Sequence, residues 1–158
     1  MNESPGATPS QGTAAGRLLV CERGGQWAGA LRRELARSGV EVGETRSLAE
    51  CWDALAASPA SFLVVELARA GAEDLLGRMA RRERDFPLAR VAVVADRSLA
   101  HWQWLLREAG AVHFTCWPRQ LGVVAELACR HLAGVPAPPQ RLTDRIWAGL
   151  PWGKELSA

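Results

Sequence analysis

Two carboxylates and one guanidinium stand directly after short apolar runs. Glu22 and Arg23 follow Leu18-Leu19-Val20-Cys21, and Glu66 follows Phe62-Leu63-Val64-Val65. Acids beside a fixed cation could balance an anion, hold a proton or lock each other as an ion pair. Gly24-Gly25-x-x-x-Gly29 comes next, and backbone amides at such a turn can receive a phosphate. Its spacing is neither GxGxxG nor a Walker loop, since the chain has no Gly-Lys-Ser/Thr. Cys/His catalysis has little footing, because neither His101, His113 nor His131 is placed by sequence beside Cys21. No Ser-His-Asp spacing can be read either.

These residues acquire a position from the elements around them. The runs at 18–21, 62–65 and 91–95 are continuously apolar and too short for helices, as strands covered on both faces require. Val40-Glu41-Val42 reads as a short strand nearer the sheet edge, and Val112 to Cys116 as the fifth strand. Between them lie segments of helical spacing. The first carries Trp27, Ala30, Leu31 and Leu35 and ends at Gly39. The second opens on a Ser47/Glu50 capping box and stops before Pro59. The third runs from about Ala72 to Arg82, with Leu75, Leu76 and Met79 inward and Arg78, Arg81 and Arg82 mostly outward. Ser98 can cap a fourth helix reaching Gly110, and Leu121 to Ala133 forms the fifth. This alternation predicts an α/β fold, a flavodoxin-like doubly wound five-stranded parallel sheet of order 2-1-3-4-5 with helices on both faces. Its crevice lies at the carboxyl ends of strands 1 and 3, where Glu22, Arg23 and Glu66 fall.

Composition narrows the function classes. With 158 residues there is room for one core, and a net charge of +2 gives no global case for nucleic acid or an anionic membrane. Residues 1–16 are rich in Gly, Ser, Ala, Thr and Pro without an apolar stretch. They are expected to be a disordered tail, neither signal peptide nor anchor. The domain is expected over 17–134, a Pro-rich linker over 135–141 and a Trp-containing tail over 142–158. The four cysteines lack metal-ligand spacing and suit buried free thiols in a reducing cytoplasm.

Taken in order, 17–133 resembles the receiver domain of bacterial response regulators. Gly110, Ala111, Phe114 and Pro118 match that family's run across the fifth strand, Gly71 follows Glu66 by five residues, and Leu121 matches the start of the final helix. The resemblance implies a site in which an acidic pair binds a divalent ion, an Asp accepts a phosphoryl group, a hydroxyl and a Lys contact it, and an aromatic reports it. In this chain the acidic pair is Glu22-Arg23, the acceptor position is Glu66, the hydroxyl position is Ala95 and the lysine position is Trp117. Phe114, the switch aromatic, keeps its type.

These departures predict a pseudo-receiver. Arg23 stays protonated where a metal ligand would stand, which repels Mg²⁺ and removes a hard oxygen donor. Without the ion, the hydroxyl and the lysine, the equatorial oxygens of a transferring phosphoryl group have no partners. The expectation is no metal, no cofactor, no phosphorylation and no catalysis. Glu66 is then either a built-in stand-in for the phosphorylated state, paired with Arg23, or a solvated vestige of the site. The Trp117-Pro118 bond corresponds to one commonly cis in receivers. Trp117 either caps the crevice or stands exposed beside Trp104.

Trp102 and Trp104 are two apart on one helix, so both cannot face the core. Trp104, Arg107, Trp117 and Arg119 are the expected interface for a protein partner or a second copy, on a face that many receivers use. Thr143 can cap one helical turn of the tail that gathers Leu142, Ile146, Trp147 and Leu150, and with Trp152 these apolar residues either pack back or dock on another protein. The expected function is therefore a signalling adaptor acting by protein–protein contact, without nucleic acid or membrane. The alternative is a nucleotide- or anion-binding α/β protein using the same crevice.

Overall fold

In the computed structural model, residues 16–136 are described. They form a five-stranded parallel sheet, β1 (Leu18–Cys21), β2 (Val42–Thr45), β3 (Phe62–Leu67), β4 (Arg90–Ala95) and β5 (Ala111–Thr115), in the order β2-β1-β3-β4-β5. The helices are α1 (Gln26–Glu34), α2 (Leu48–Ala57), α3 (Ala72–Asp85), α4 (Gln103–Glu108) and α5 (Leu121–Gly134). The expected fold class and strand order are both present. No helix among the described residues is long and apolar enough to cross a membrane. The N-terminal residues 1–15, most of the linker and the tail with Ile146, Trp147, Leu150 and Trp152 lie outside the described residues.

The unbroken apolar runs have a direct cause in the two-sided core. Leu18, Val20, Phe62, Val64, Ala92 and Val94 point to the layer made by α1 and α5. Leu19, Cys21, Leu63, Val65, Val91 and Val93 point to the layer under α2, α3 and α4. Because neighbouring strand side chains face opposite ways, both faces being covered demands that every position be apolar.

Several boundaries differ from the sequence reading. Strand β2 begins at Val42, because Leu18 pairs with Val42 and the ladder continues through Gly43, Glu44 and Thr45. Each of these four residues is half-buried. The edge is held by backbone pairing and by Arg32 and Arg46 on Glu44 rather than by apolar content. The fourth helix is not capped by Ser98. Asp96 accepts the Ser98 amide at 2.9 Å and opens a 3₁₀ turn over Arg97–Trp102, which leaves α4 only six residues long. The tighter turn follows from an Asx cap two residues earlier. Gly110 ends this segment at φ +95°, a conformation that favours glycine.

Arg82 is buried rather than outward. Its guanidinium Nη1 donates to the Ala89 carbonyl at 2.6 Å, tying the end of α3 to the start of β4, while Nε has no partner. Burial pushes its pKa down. The Trp117-Pro118 peptide is trans, as are all peptide bonds among the described residues.

Candidate functional site

The site begins with a helix start. Gly25 enters α1 at φ +81° and offers no side chain to the first free amides. Glu22 supplies the acceptor instead. Its carboxylate is only 2% exposed, and its two oxygens accept the amides of Trp27 at 2.9 Å and Ala28 at 2.6 Å. An anion at a helix N-terminus is favoured by the peptide dipoles as well as by these bonds. The Gly24-Gly25 turn thus points amides at the chain's own carboxylate, so two of the donors that an external anion would use are taken.

Glu66 is half-buried at the end of β3, and its Oε2 accepts the backbone amide of Arg23 at 3.1 Å. The expected guanidinium–carboxylate pair is not the contact that forms. The main chain after β1 curls toward β3 and presents its N–H, while no ion pair joins the Arg23 side chain to Glu66 among the described residues.

Glu66 stands between two hollows at the carboxyl ends of the strands. One, of about 310 Å³, is bordered by Cys21, Glu22, Arg23, Arg46, Ser47, Glu66, Asp74 and Arg78. The other, of about 350 Å³, is bordered by Gln26, Trp27, Glu66, Ala95, Asp96, Arg97 and Cys116. Glu22 and Arg23 therefore border the first hollow, Ala95 the second, and Glu66 both. Trp117 borders neither hollow. Its indole is 44% exposed and lies under the Arg97 guanidinium, 3.5 Å from the ring centroid. Trp117 thus faces outward, and the side chain stacked on it is Arg97. Phe114 is buried in the layer under α4.

Two of the cations around the crevice, Arg46 and Arg78, have partners already. Arg46 bridges Glu44 and the carbonyls of Glu22 and Arg23, and Arg78 pairs with Asp74 while its guanidinium lies over Trp52. The Arg32 guanidinium, with Arg46, holds the Glu44 carboxyl below the usual range. The Ser98 amide does the same for Asp96. Arg46, Asp96 and Arg97 were not singled out from the sequence. The Asp96-x-Ser98 spacing was a legible cap signal, whereas nothing in the sequence places Arg46 across the β1–α1 turn.

At the far edge of the sheet, Trp104 is 71% exposed and Trp102 is half-buried against the core, as their spacing predicts. Arg107 on α4 and Arg119 after β5 are also exposed. Leu105, Val112 and Val123 add exposed apolar area on α4, β5 and α5, the elements gathered around that edge.

Comparisons with known proteins bear on the fold. No family profile matches the sequence, and no curated protein matches it. Solved structures do match. A response regulator from Thermotoga maritima aligns at TM-score 0.60 with 20% identity, over 77% of this chain and 100% of that one. An orphan response regulator of H. pylori aligns at TM-score 0.60 with 18% identity, over 75% and 97% of the two chains. The CheY-like protein TadZ from Pseudomonas aeruginosa aligns at TM-score 0.56 with 19% identity, over 71% and 98%. The chain has the receiver fold of response regulators.

Proposed function

We propose that this chain is a pseudo-receiver, a signalling adaptor that works by protein–protein contact and is set by its own side chains rather than by phosphorylation. The observation that carries this reading is the engagement of Glu22. A carboxylate whose two oxygens accept buried helix amides is poorly placed to ligate a divalent ion, which takes six or more oxygen donors. The remaining residues do not fit such an ion either. Arg23 brings a cation, and Glu66 already accepts the Arg23 amide. Ala95 and the outward Trp117 offer no donor to a phosphoryl oxygen.

Under this reading Glu66 is a fixed carboxylate at the place where a receiver would carry its phosphoryl group. The partner surface is the β5 edge with Trp104, Arg107, Trp117 and Arg119, which combines exposed indoles with guanidinium groups, the usual anchors of interfaces. The test is incubation with Mg²⁺ and acetyl phosphate followed by intact-mass measurement. The mass is expected to stay unchanged. Gain of one phosphoryl group at Glu66 would end the proposal.

A further inference from the structure

The amino ends of β4 and β5, at the opposite end of the sheet from Glu22 and Glu66, carry a second gathering of charge. A hollow of about 400 Å³ lies there, bordered by Arg82, Glu83, Pro87, Arg90, Gly110 and Val112. Two guanidinium groups on its wall converge on one oxygen. The Ala89 carbonyl accepts Arg82 Nη1 at 2.6 Å and Arg90 Nη1 at 3.0 Å, and the Pro87 carbonyl also accepts Arg90 Nη1, at 3.1 Å. Like charges held this close repel. Burial lowers the Arg82 pKa and Arg90 lowers it further, while Glu83 opposes them.

These cations are short of anions. Arg82 is 3% exposed, yet its Nε has no hydrogen-bond partner and its Nη2 meets only Glu83 Oε1, at 3.5 Å. Glu83 is a weak counter-ion, because its side chain is 82% exposed and the contact is longer than a charge-assisted hydrogen bond. Arg90 takes part in no ion pair among the described residues. Gly110 keeps the space beside Nη2 open. A Cβ there would stand 3.0 Å from Nη2 and 4.0 Å from Cζ of Arg82, so a side chain would crowd the guanidinium at the edge of the hollow. A buried cation with unused donors is costly, and the hollow is where an acceptor can reach it.

We propose that this hollow is a binding site for a phosphate dianion, free or carried as a phosphomonoester on a small molecule, held between the Arg82 and Arg90 guanidinium groups. The charge count favours a dianion. Glu83 can turn out to solvent, and a monoanion would then leave one cation unmet. Phosphate brings two charges and enough oxygens to accept from both guanidinium groups at once. The site does not depend on the adaptor reading and lies far from Glu66, so a failed titration here leaves that reading standing.

The experiment uses the full chain, isotopically labelled for amide NMR, at about pH 7.5, where phosphate is largely a dianion. Sodium phosphate is titrated against sodium chloride of matched ionic strength. The amides of Arg90, Gly110 and Val112 are expected to shift saturably, with half-saturation below about 10 mM. Arg90→Gln is expected to weaken binding about tenfold or more, through loss of a charged donor. Glu83→Gln removes the competing carboxylate and should tighten it about two- to fivefold. Arg81→Gln removes the same charge as Arg90→Gln from an exposed position outside the hollow and should change it by less than about twofold. Acetate, with one charge, should bind about tenfold more weakly than phosphate. Glycerol phosphate separates the sources: binding as tight as phosphate assigns the site to a phosphomonoester, and binding of phosphate alone assigns it to the free ion. The proposal is overturned if the three amides show no saturable shift, if Arg90→Gln binds as tightly as wild type or loses no more than Arg81→Gln, if Glu83→Gln binds no tighter than wild type, or if acetate matches phosphate.

Discussion

Replacing Glu22 by alanine removes the acceptor for two buried amides at the start of α1. Each hydrogen bond to a charged group contributes about 1.5–3 kcal/mol, and unpaired buried N–H groups carry a penalty of similar size. Trp27 and Ala28 are both buried, so water does not readily take over. The expected loss is about 3–5 kcal/mol, a large share of the roughly 5–15 kcal/mol available to a domain of this kind. With a urea m-value of about 2 kcal/mol/M, the midpoint falls by ~2 M. Glu22→Gln keeps the volume and one acceptor oxygen while turning an NH₂ toward the other amide, so about half the loss is expected, ~2 kcal/mol. Urea unfolding followed by tryptophan fluorescence measures both, and hydrogen exchange of the Trp27 and Ala28 amides reports the cap itself. A Glu22→Ala loss below about 1 kcal/mol with unchanged exchange at those amides would refute the assignment. So would a wild-type midpoint that rises when Mg²⁺ is added, because ligation of the native state stabilises it by mass action.

The β5-edge surface predicts that Trp104→Ala lowers affinity for the partner or second copy while leaving the unfolding free energy within about 0.5 kcal/mol of wild type. Light scattering across a concentration series checks the second-copy case, and a wild-type chain monomeric throughout would argue against self-association. His113 predicts a pH dependence. Burial, aided by Arg107, holds its pKa below the ordinary value of 6.5, and its Nε2 is buried without a partner. The unfolded chain therefore binds the proton first, and stability falls as pH drops through 6.5 toward the folded-state pKa. Urea midpoints at about pH 7.5 and 5.5 should draw together in His113→Gln, and an unchanged gap would contradict this.

Much of the fold was legible because two-sided burial writes itself into the sequence as unbroken apolar runs. Strands β1, β3 and β4 were placed to within one or two residues, and the Ser47 cap of α2 was read directly, with Ser47 Oγ accepting the Glu50 amide at 3.2 Å and Glu50 reaching back to the Arg46 amide. The edge strand was less legible. Half-buried Val42-Gly43-Glu44-Thr45 has no pattern of its own and takes its register from Leu18 to Cys21. Arg82 was misjudged for a related reason: helical spacing gives a face, but only the approach of the α3–β4 turn decides that this arginine reaches the Ala89 carbonyl.

The sequence by itself determined the order of elements, the crevice and the residue types in it, since these follow from periodicity and from the side chains that stand after each apolar run. What the side chains do there was decided by tertiary structure. Glu22 caps α1, Glu66 is held by the Arg23 amide rather than its guanidinium, and Trp117 turns out under Arg97. Hydrogen bonds and ring contacts depend on ångström-scale approach between segments distant in sequence, and no local pattern of residues specifies that distance.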